Sequence, residues 1–415
     1  MALLVLTSEE DSWLAVASYI GELIDAGQDE GSKLVETSGS LFVDQCKASY
    51  AAEKYADLLE QFAANLDILF SKAANDQDLE GAINIICHLV PRILVPGAGA
   101  AASRLASALA ATPTVRPDRR LQALVNLYNV VWDPQSKYTV LLQTLAFSKA
   151  SGLADVMLNV VRTHADTWAA GLSLSPADER NLYVACADAL RGCTRKPKTA
   201  AKEAYRLLCK YLVTFEGASA GEAATGAAVA SQVVSDYLKS PDLFHFDLKD
   251  NPAIAALASN SQYAPLHQLL TIYLTGSVAD FNNFVKSNGA VFQSLGVTEE
   301  AAAGKMKLLA LMGLAHGSAE IKFSEIASSL DLPAGDVETV VVQAIGKRLM
   351  EAKIDQLAEV VTVTKCAPRT FGAAQWQELL GQLASWRKSV GEVMELGTDE
   401  KNVLSKGIAE LSVGA

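Results

Sequence analysis

Apolar residues recur at spacings of three and four along most of this chain. Leu121, Leu124, Val125, Tyr128 and Val131 form one such stripe, the period of an amphipathic helix with one face turned to a core. Helix openings punctuate the pattern. Ser175-Pro176-Ala177-Asp178 offers an N-cap serine, a proline at the first helical position and an acid in the first turn. Similar signals stand at Pro117-Asp118, Ser240-Pro241-Asp242 and Thr298-Glu299-Glu300. Breaks near 134, 152, 171, 197 and 217 leave segments of roughly 15 to 20 residues, which predicts antiparallel helix pairs stacked as an irregular α-solenoid. Gly27 to Gly39 reads as a loop. The segments rich in Gly, Ala and Ser at 96–112 and 217–231 read as soft connections or weakly specified helices.

After about residue 317 the pattern changes. Ile321 and Phe323 make a minimal strand, Ser324 to Leu330 a short helix and Asp331-Leu332-Pro333 a turn. Gly335 to Met350 reads as a second helix, with Asp336 and Glu338 at its positive end. Lys353-Ile354-Asp355 and Glu359 to Thr364 are β-prone runs joined by Gln356-Leu357-Ala358, a hairpin's arrangement. Two helices and a hairpin in this order predict a winged helix. Behind it Trp376, Leu383 and Val390 repeat every seven residues, as do Leu379, Trp386 and Val393. That heptad seam predicts a terminal helix that buries its stripe, either on its own chain or in a bundle with other chains. The expected organisation is a helical-repeat region over 1–316, a winged helix over 317–366 and a terminal helix with a short tail over 367–415.

Composition narrows the function. Of 415 residues, 50% are hydrophobic and 20% charged, an ordinary globular balance. Lys plus Arg number 35 against 47 for Asp plus Glu, a net charge of −12. No overall field draws the chain onto phosphate backbones, so autonomous DNA binding is not expected, although a local basic patch is compatible with these numbers. The apolar start Met1 to Leu6 runs straight into Ser8-Glu9-Glu10-Asp11, too short and too acidic for a secretory signal. The longest uncharged stretch, Asn251 to Ala279, is broken by Pro252 and Pro265 and carries Asn260, Gln262, His267 and Gln268, so no membrane association is expected. Cys46, Cys87, Cys186, Cys193, Cys209 and Cys366 contain no Cys-x-x-Cys pair and read as free thiols of a cytoplasmic protein.

Nothing in the sequence spells a catalytic centre. Gly97 to Ala102 fits a relaxed dinucleotide fingerprint, with Asp118 beyond it, but Pro96 interrupts the strand-to-helix join that would aim amides at a pyrophosphate. A connection between helices, built from small residues, is the reading adopted. Gly304-Lys305-Met306 and Gly346-Lys347-Arg348 lack the upstream glycine and the Ser or Thr of a phosphate-binding loop. His88, His164, His245, His267 and His316 fall in no metal-binding spacing. No catalytic residue, metal or cofactor is predicted, and the chain is not expected to be an enzyme. In the second helix of the winged helix, Val337, Val340, Val341, Ala344 and Ile345 make the core stripe. The other face offers Asp336, Glu338, Thr339 and Gln343, with basic residues only at Lys347 and Arg348, too acidic for a major-groove reader. The hairpin edge instead carries backbone groups that a neighbouring chain could extend, unless the wing folds back on its own domain.

Several words along the chain carry a resemblance: Phe246-Asp247, Leu269-Leu270-Thr271-Ile272-Tyr273, Lys305 to Leu309 with Met312-Gly313, and Asp336-Val337-Glu338. Lys353 to Gln356 and Arg369-Thr370-Phe371-Gly372 with Gln375-Trp376-Gln377 complete the set. With its helical array, winged helix and terminal helix, the chain resembles PCI-domain subunits, the module of the proteasome lid, the COP9 signalosome and eukaryotic translation initiation factor 3. Within that superfamily it is most similar to the subunit m family of initiation factor 3, over about 115 to 394. The resemblance implies a right-handed α-solenoid of helix pairs, a PCI module made of the winged helix with about 200–316, and a C-terminal bundle helix. It implies a non-catalytic scaffold whose partners are other PCI and MPN subunits and, through the complex, the small ribosomal subunit. It further implies that Lys353, Ile354, Asp355, Gln356, Val361 and Val363 form a winged-helix edge contact. Trp376, Leu379, Leu383, Trp386, Val390 and Val393 would form the bundle seam. The alternatives are a PCI subunit of the lid or signalosome, or a stand-alone α-solenoid adaptor.

Overall fold

The computed structural model describes residues 12–26, 38–94, 97–372 and 375–394. The acidic start and most of the Gly27 to Gly39 segment lie outside these residues; Gly39 itself is buried in a helix, Ser38–Ala51. The chain divides into two compact units, Met1–Thr214 and Phe215–Ala415.

In the first unit the described residues are helical apart from short connections. Helices Pro117–Val130, Pro134–Ala150, Ala154–Gly171, Pro176–Leu190 and Pro197–Val213 break where the sequence predicts. Ser175 caps its helix as read, its hydroxyl accepting from the Asp178 amide at 3.2 Å. The small-residue segment forms a full helix, Gly97–Ala110, because alanine has the highest helix propensity and Ala101, Ala102, Leu105, Ala106 and Leu109 are buried. Gly99 serves close packing there, since a Cβ on it would sit 2.5 Å from Ser136 Oγ. Neighbouring helices are tied by polar rungs: Gln122 Nε2 donates to Glu80 Oε1 at 2.6 Å and Asn126 Nδ2 to Asn84 Oδ1 at 2.8 Å. Arg120, wholly buried, donates to the carbonyls of Ala108, Leu109 and Val115 and to Asp67.

The second unit opens with helices Ala220–Thr225, Ala227–Lys239, Pro252–Ser259, Ala264–Thr275, Val278–Asn288, Ala290–Leu295 and Glu299–Ala315. The glycine-rich segment at 217–231 is thus largely helical. Ser240-Pro241-Asp242 does not open a helix; Ser240 instead ends Ala227–Lys239. The reason is packing. Phe244 and Phe246 turn inward and are buried, while Lys305 and Lys347 take up the carbonyls of Ser240 and Pro241 at 2.8 and 3.0 Å.

The winged helix follows. Strand β1 is Glu320–Lys322, the first helix Phe323–Leu330 and the second Val337–Gly346, entered through a single 3-10 turn, Ala334–Asp336. The second helix is shorter than its sequence suggests, because Arg348 takes a left-handed conformation (φ 59°) and Met350 already opens β2, Met350–Asp355. Strand β3 is Val360–Cys366. Val337, Val341 and Ala344 are buried as the stripe predicts. The sheet is antiparallel in the order β1-β3-β2. A last helix spans 375–394. The fold class is that of a helical-repeat protein ending in a winged helix and a C-terminal helix.

Candidate assembly surfaces

Strand order places the hairpin residues unequally. β2 lies at the rim of the sheet, so Lys353, Ile354 and Asp355 stand on an edge strand, and Gln356 begins the turn beyond it. Lys353 and Asp355 are exposed while Ile354 is half-buried opposite Val361. The turn is held by Asp355, whose Oδ1 accepts from the amides of Leu357 and Ala358, each at 3.0 Å. Gln356 Nε2 donates to Glu338 Oε2 at 2.7 Å, tying the turn to the second helix, and Leu357 at the tip is fully exposed. Val361 and Val363 sit one strand further in. Val361 is paired with Ile354 on one side and Ile321 on the other and is wholly buried; Val363 pairs with Ala352, and its amide donates to the Ala319 carbonyl at 2.8 Å. One of the two outer edges of the sheet therefore runs along β2, and these two valines back it rather than line it.

The terminal helix begins from a clamped root. The Arg369 guanidinium donates to the carbonyls of Tyr273, Gly276 and Ile272 at 2.9, 2.9 and 2.8 Å, closing the C-terminal end of Ala264–Thr275, where the last carbonyls run short of helical donors; the Ile272 carbonyl also accepts from the Gly276 amide. Burial pulls its pKa below the usual arginine value, and Tyr237 opposes that pull. The Gly372 amide donates to Gln375 Oε1 at 3.0 Å, and the Phe371 ring meets Trp376 edge-on at 4.9 Å between centroids.

Beyond this root the helix has no cover among the described residues. Trp376, Leu383, Trp386, Val390 and Val393 are 61, 49, 64, 59 and 66% exposed, joined by exposed Leu380 and Met394. Leu379 is half-buried. All six seam residues thus line one helix, and among the described residues no other segment covers the stripe. Polar residues form intrahelical contacts, Gln382 with Glu378 and Lys388 with Glu392.

Sequence reading missed the cations that hold the second unit together. Lys305 is 6% exposed, donates to the carbonyls of Tyr237 and Ser240, and lies 4.2 Å from the Tyr237 ring centroid. Its pKa is lowered to about 7, by burial first and then by Lys347, with Asp242 opposing. Lys347, read as one of two basic residues on the second helix, is occupied with Pro241 and with Asp242 Oδ1 at 2.9 Å. The clamps also explain two words of the resemblance, since Arg369 reaches back to Ile272 and Tyr273 and lies against Met306 and Gly313. Elsewhere, burial pushes the thiols of Cys87 and Cys186 up to about 12, which removes them as nucleophiles at neutral pH. Among the described residues no group of three His, Cys, Asp or Glu is placed to hold a metal ion, and no helix is long and apolar enough to cross a membrane.

Comparison with known proteins meets the same landmarks. The PCI domain family matches residues 286–365, and the family described as eIF3 subunit M, C-terminal helix, matches residues 369–395. The chain is 30% identical over 283 residues to eukaryotic translation initiation factor 3 subunit M of Gallus gallus, covering 67% of this chain and 71% of that protein. It is 27% identical over 395 residues to the Mus musculus protein of the same name, covering 93 and 95%. The Dictyostelium discoideum subunit is 24% identical over 362 residues, covering 85 and 88%. With a PCI winged helix, a matching terminal helix and relatives aligned along nearly its whole length, the chain belongs to the family of subunit M of eukaryotic translation initiation factor 3.

Proposed function

We propose that this chain is a non-catalytic scaffold subunit of translation initiation factor 3. It assembles with other PCI and MPN subunits through the β2 edge and the terminal helix, and supports binding of the factor to the small ribosomal subunit in the cytoplasm. In this reading the helical array over 1–316 carries the winged helix of 317–366, and 367–415 supplies the bundling segment. The observation that carries it is the apolar stripe of 375–394, exposed on a helix whose root is clamped by Arg369. Burying each large aliphatic side chain of that stripe is worth about 1.5–3 kcal/mol, and in proteins most of a helix's stability comes from packing of its apolar face. The half-buried Ile354 between exposed Lys353 and Asp355 suits an edge that accepts a neighbour while its charges discourage unspecific pairing.

The test is affinity purification of the tagged chain from its cytosol, with Leu379→Asp/Leu383→Asp beside it. Wild type is expected to bring down initiation-factor 3 subunits and small ribosomal proteins, and the double variant to lose them. Unchanged recovery by the variant removes the seam from the reading. Recovery of lid or signalosome subunits keeps the fold and replaces the function.

A further inference from the structure

The first unit carries a charged face that assembly through the second unit does not use. Residues 191–202 contain five basic residues and no acid, in a chain of net charge −12. They form the connection between helices Pro176–Leu190 and Pro197–Val213 and the first turns of the latter. Arg195, Lys196, Lys198 and Lys202 are all exposed, and exposed Lys149 joins them, its stem lying against Gly192.

The connection is built to present these charges. Asp155 accepts from the amides of Thr194 and Arg195 at 3.3 and 3.0 Å and from the Thr194 hydroxyl at 3.0 Å. Its carboxylate therefore fixes the backbone of the turn. The remaining acids nearby are engaged elsewhere: Asp188 with Arg191, Glu203 with Arg206, and Asp166 with Arg206 and Lys210. Among the described residues Lys149, Lys196, Lys198 and Lys202 have no ion-pair partner. Like charges on one surface repel, and among the described residues the Asp155 carboxylate, set against Arg195, is the acid that eases that repulsion at the turn.

We propose that this face binds the phosphodiester backbone of RNA without reading its sequence. A phosphate chain supplies what the surface lacks, and its affinity arises from cations alone through counterion release. Exposed Thr199 adds a hydroxyl of the kind that contacts phosphate oxygens. An acidic protein partner fits less well, because protein interfaces are anchored on Trp and Tyr together with Arg, and residues 191–202 contain neither aromatic. The proposal does not depend on the assembly reading, since it concerns the first unit and is measured on the chain by itself.

The test titrates the full-length chain into a short fluorescein-labelled single-stranded RNA of mixed sequence, from about 50 to 200 mM salt. Wild type is expected to bind with log K falling against log salt at a slope of about −3, the value for some four neutralised phosphates on a single strand. Arg195→Gln/Lys196→Gln/Lys198→Gln/Lys202→Gln should lose at least tenfold in affinity and most of that slope. A control with the same charge change elsewhere, Lys239→Gln/Lys249→Gln/Lys286→Gln/Lys322→Gln, should keep both. Unaltered melting of each variant shows that folding is intact, and the milder Lys149→Gln/Lys196→Gln keeps the test available should the fourfold variant melt early. Equal losses in variant and control, or no RNA binding by wild type, overturn the proposal. So does tighter binding of a polyglutamate peptide of matched charge, which would assign the face to an acidic protein.

Discussion

Two helices of the second unit make opposite use of their side chains. Glu299–Ala315 buries Ala302, Met306, Leu308, Leu309, Leu311, Met312 and Ala315, and it buries a lysine as well. The helix of 375–394 exposes two tryptophans. Both have enough apolar residues to demand cover. The first receives it from the rest of its unit, so completely that Lys305 must find carbonyls and an aromatic face in place of water. The second, among the described residues, is fixed at its root. Apolar spacing states that a face must be covered, and tertiary topology decides whether the chain covers it itself.

The largest effect expected from this contrast is in the covered helix. Leu309 is wholly buried, so Leu309→Ala should cost about 2–5 kcal/mol through lost burial and the cavity left behind. In a unit of this size each kcal/mol lowers the melting temperature by roughly 2–4 °C, so thermal denaturation of the isolated chain reads it directly. A loss below 1 kcal/mol would mean that Glu299–Ala315 is not the packed centre described above.

A smaller effect follows from the lysine in the same helix. The Lys305 pKa is lowered to about 7 from the ordinary 10.5. Between those values the unfolded chain binds more protons than the folded one, so stability at this site rises with pH across the window and is flat below it. A shift of that size bounds the rise at about 5 kcal/mol. The two carbonyl bonds and the Tyr237 ring favour the charged form and keep the change under that bound. Urea unfolding of wild type against Lys305→Met from pH 7 to about pH 9 should show the wild-type advantage growing with pH, and a pH-independent difference would return Lys305 to an ordinary charged state.

How much of this was legible in the sequence depended on the range of the interaction involved. Ser175 and Thr298 cap their helices as read because a cap is a contact three residues long. The buried face of Val337–Gly346 was visible for the same reason. Ser240-Pro241-Asp242 shows a helix opening by every local rule, yet two lysines 65 and 106 residues further on hold its carbonyls in a turn. The position of Val361 and Val363 inside the sheet could not be read either, because the order β1-β3-β2 is set by β1 closing on β3 from before both helices. Arg369 looked like one letter of a family word, and its task as a cap on a helix almost a hundred residues earlier exists only in three dimensions.

The smallest effect separates the two helices most sharply. Leu379→Asp/Leu383→Asp introduces two carboxylates into a stripe that is apolar over its whole length, a change that would cost several kcal/mol in a packed core. In the isolated chain Leu383 is 49% exposed and Leu379 half-buried, so neither carboxylate is shut off from water. Substitutions at exposed positions away from buried networks usually stay within about 0.5 kcal/mol. The global unfolding midpoint in urea should therefore match wild type, while the same variant fails to recover its partners from cytosol. A loss of about 2 kcal/mol or more in the isolated chain would show the stripe packed on its own unit in solution, and the contrast with Glu299–Ala315 would disappear. An unchanged midpoint together with lost assembly is the combination that only cover supplied by other chains produces.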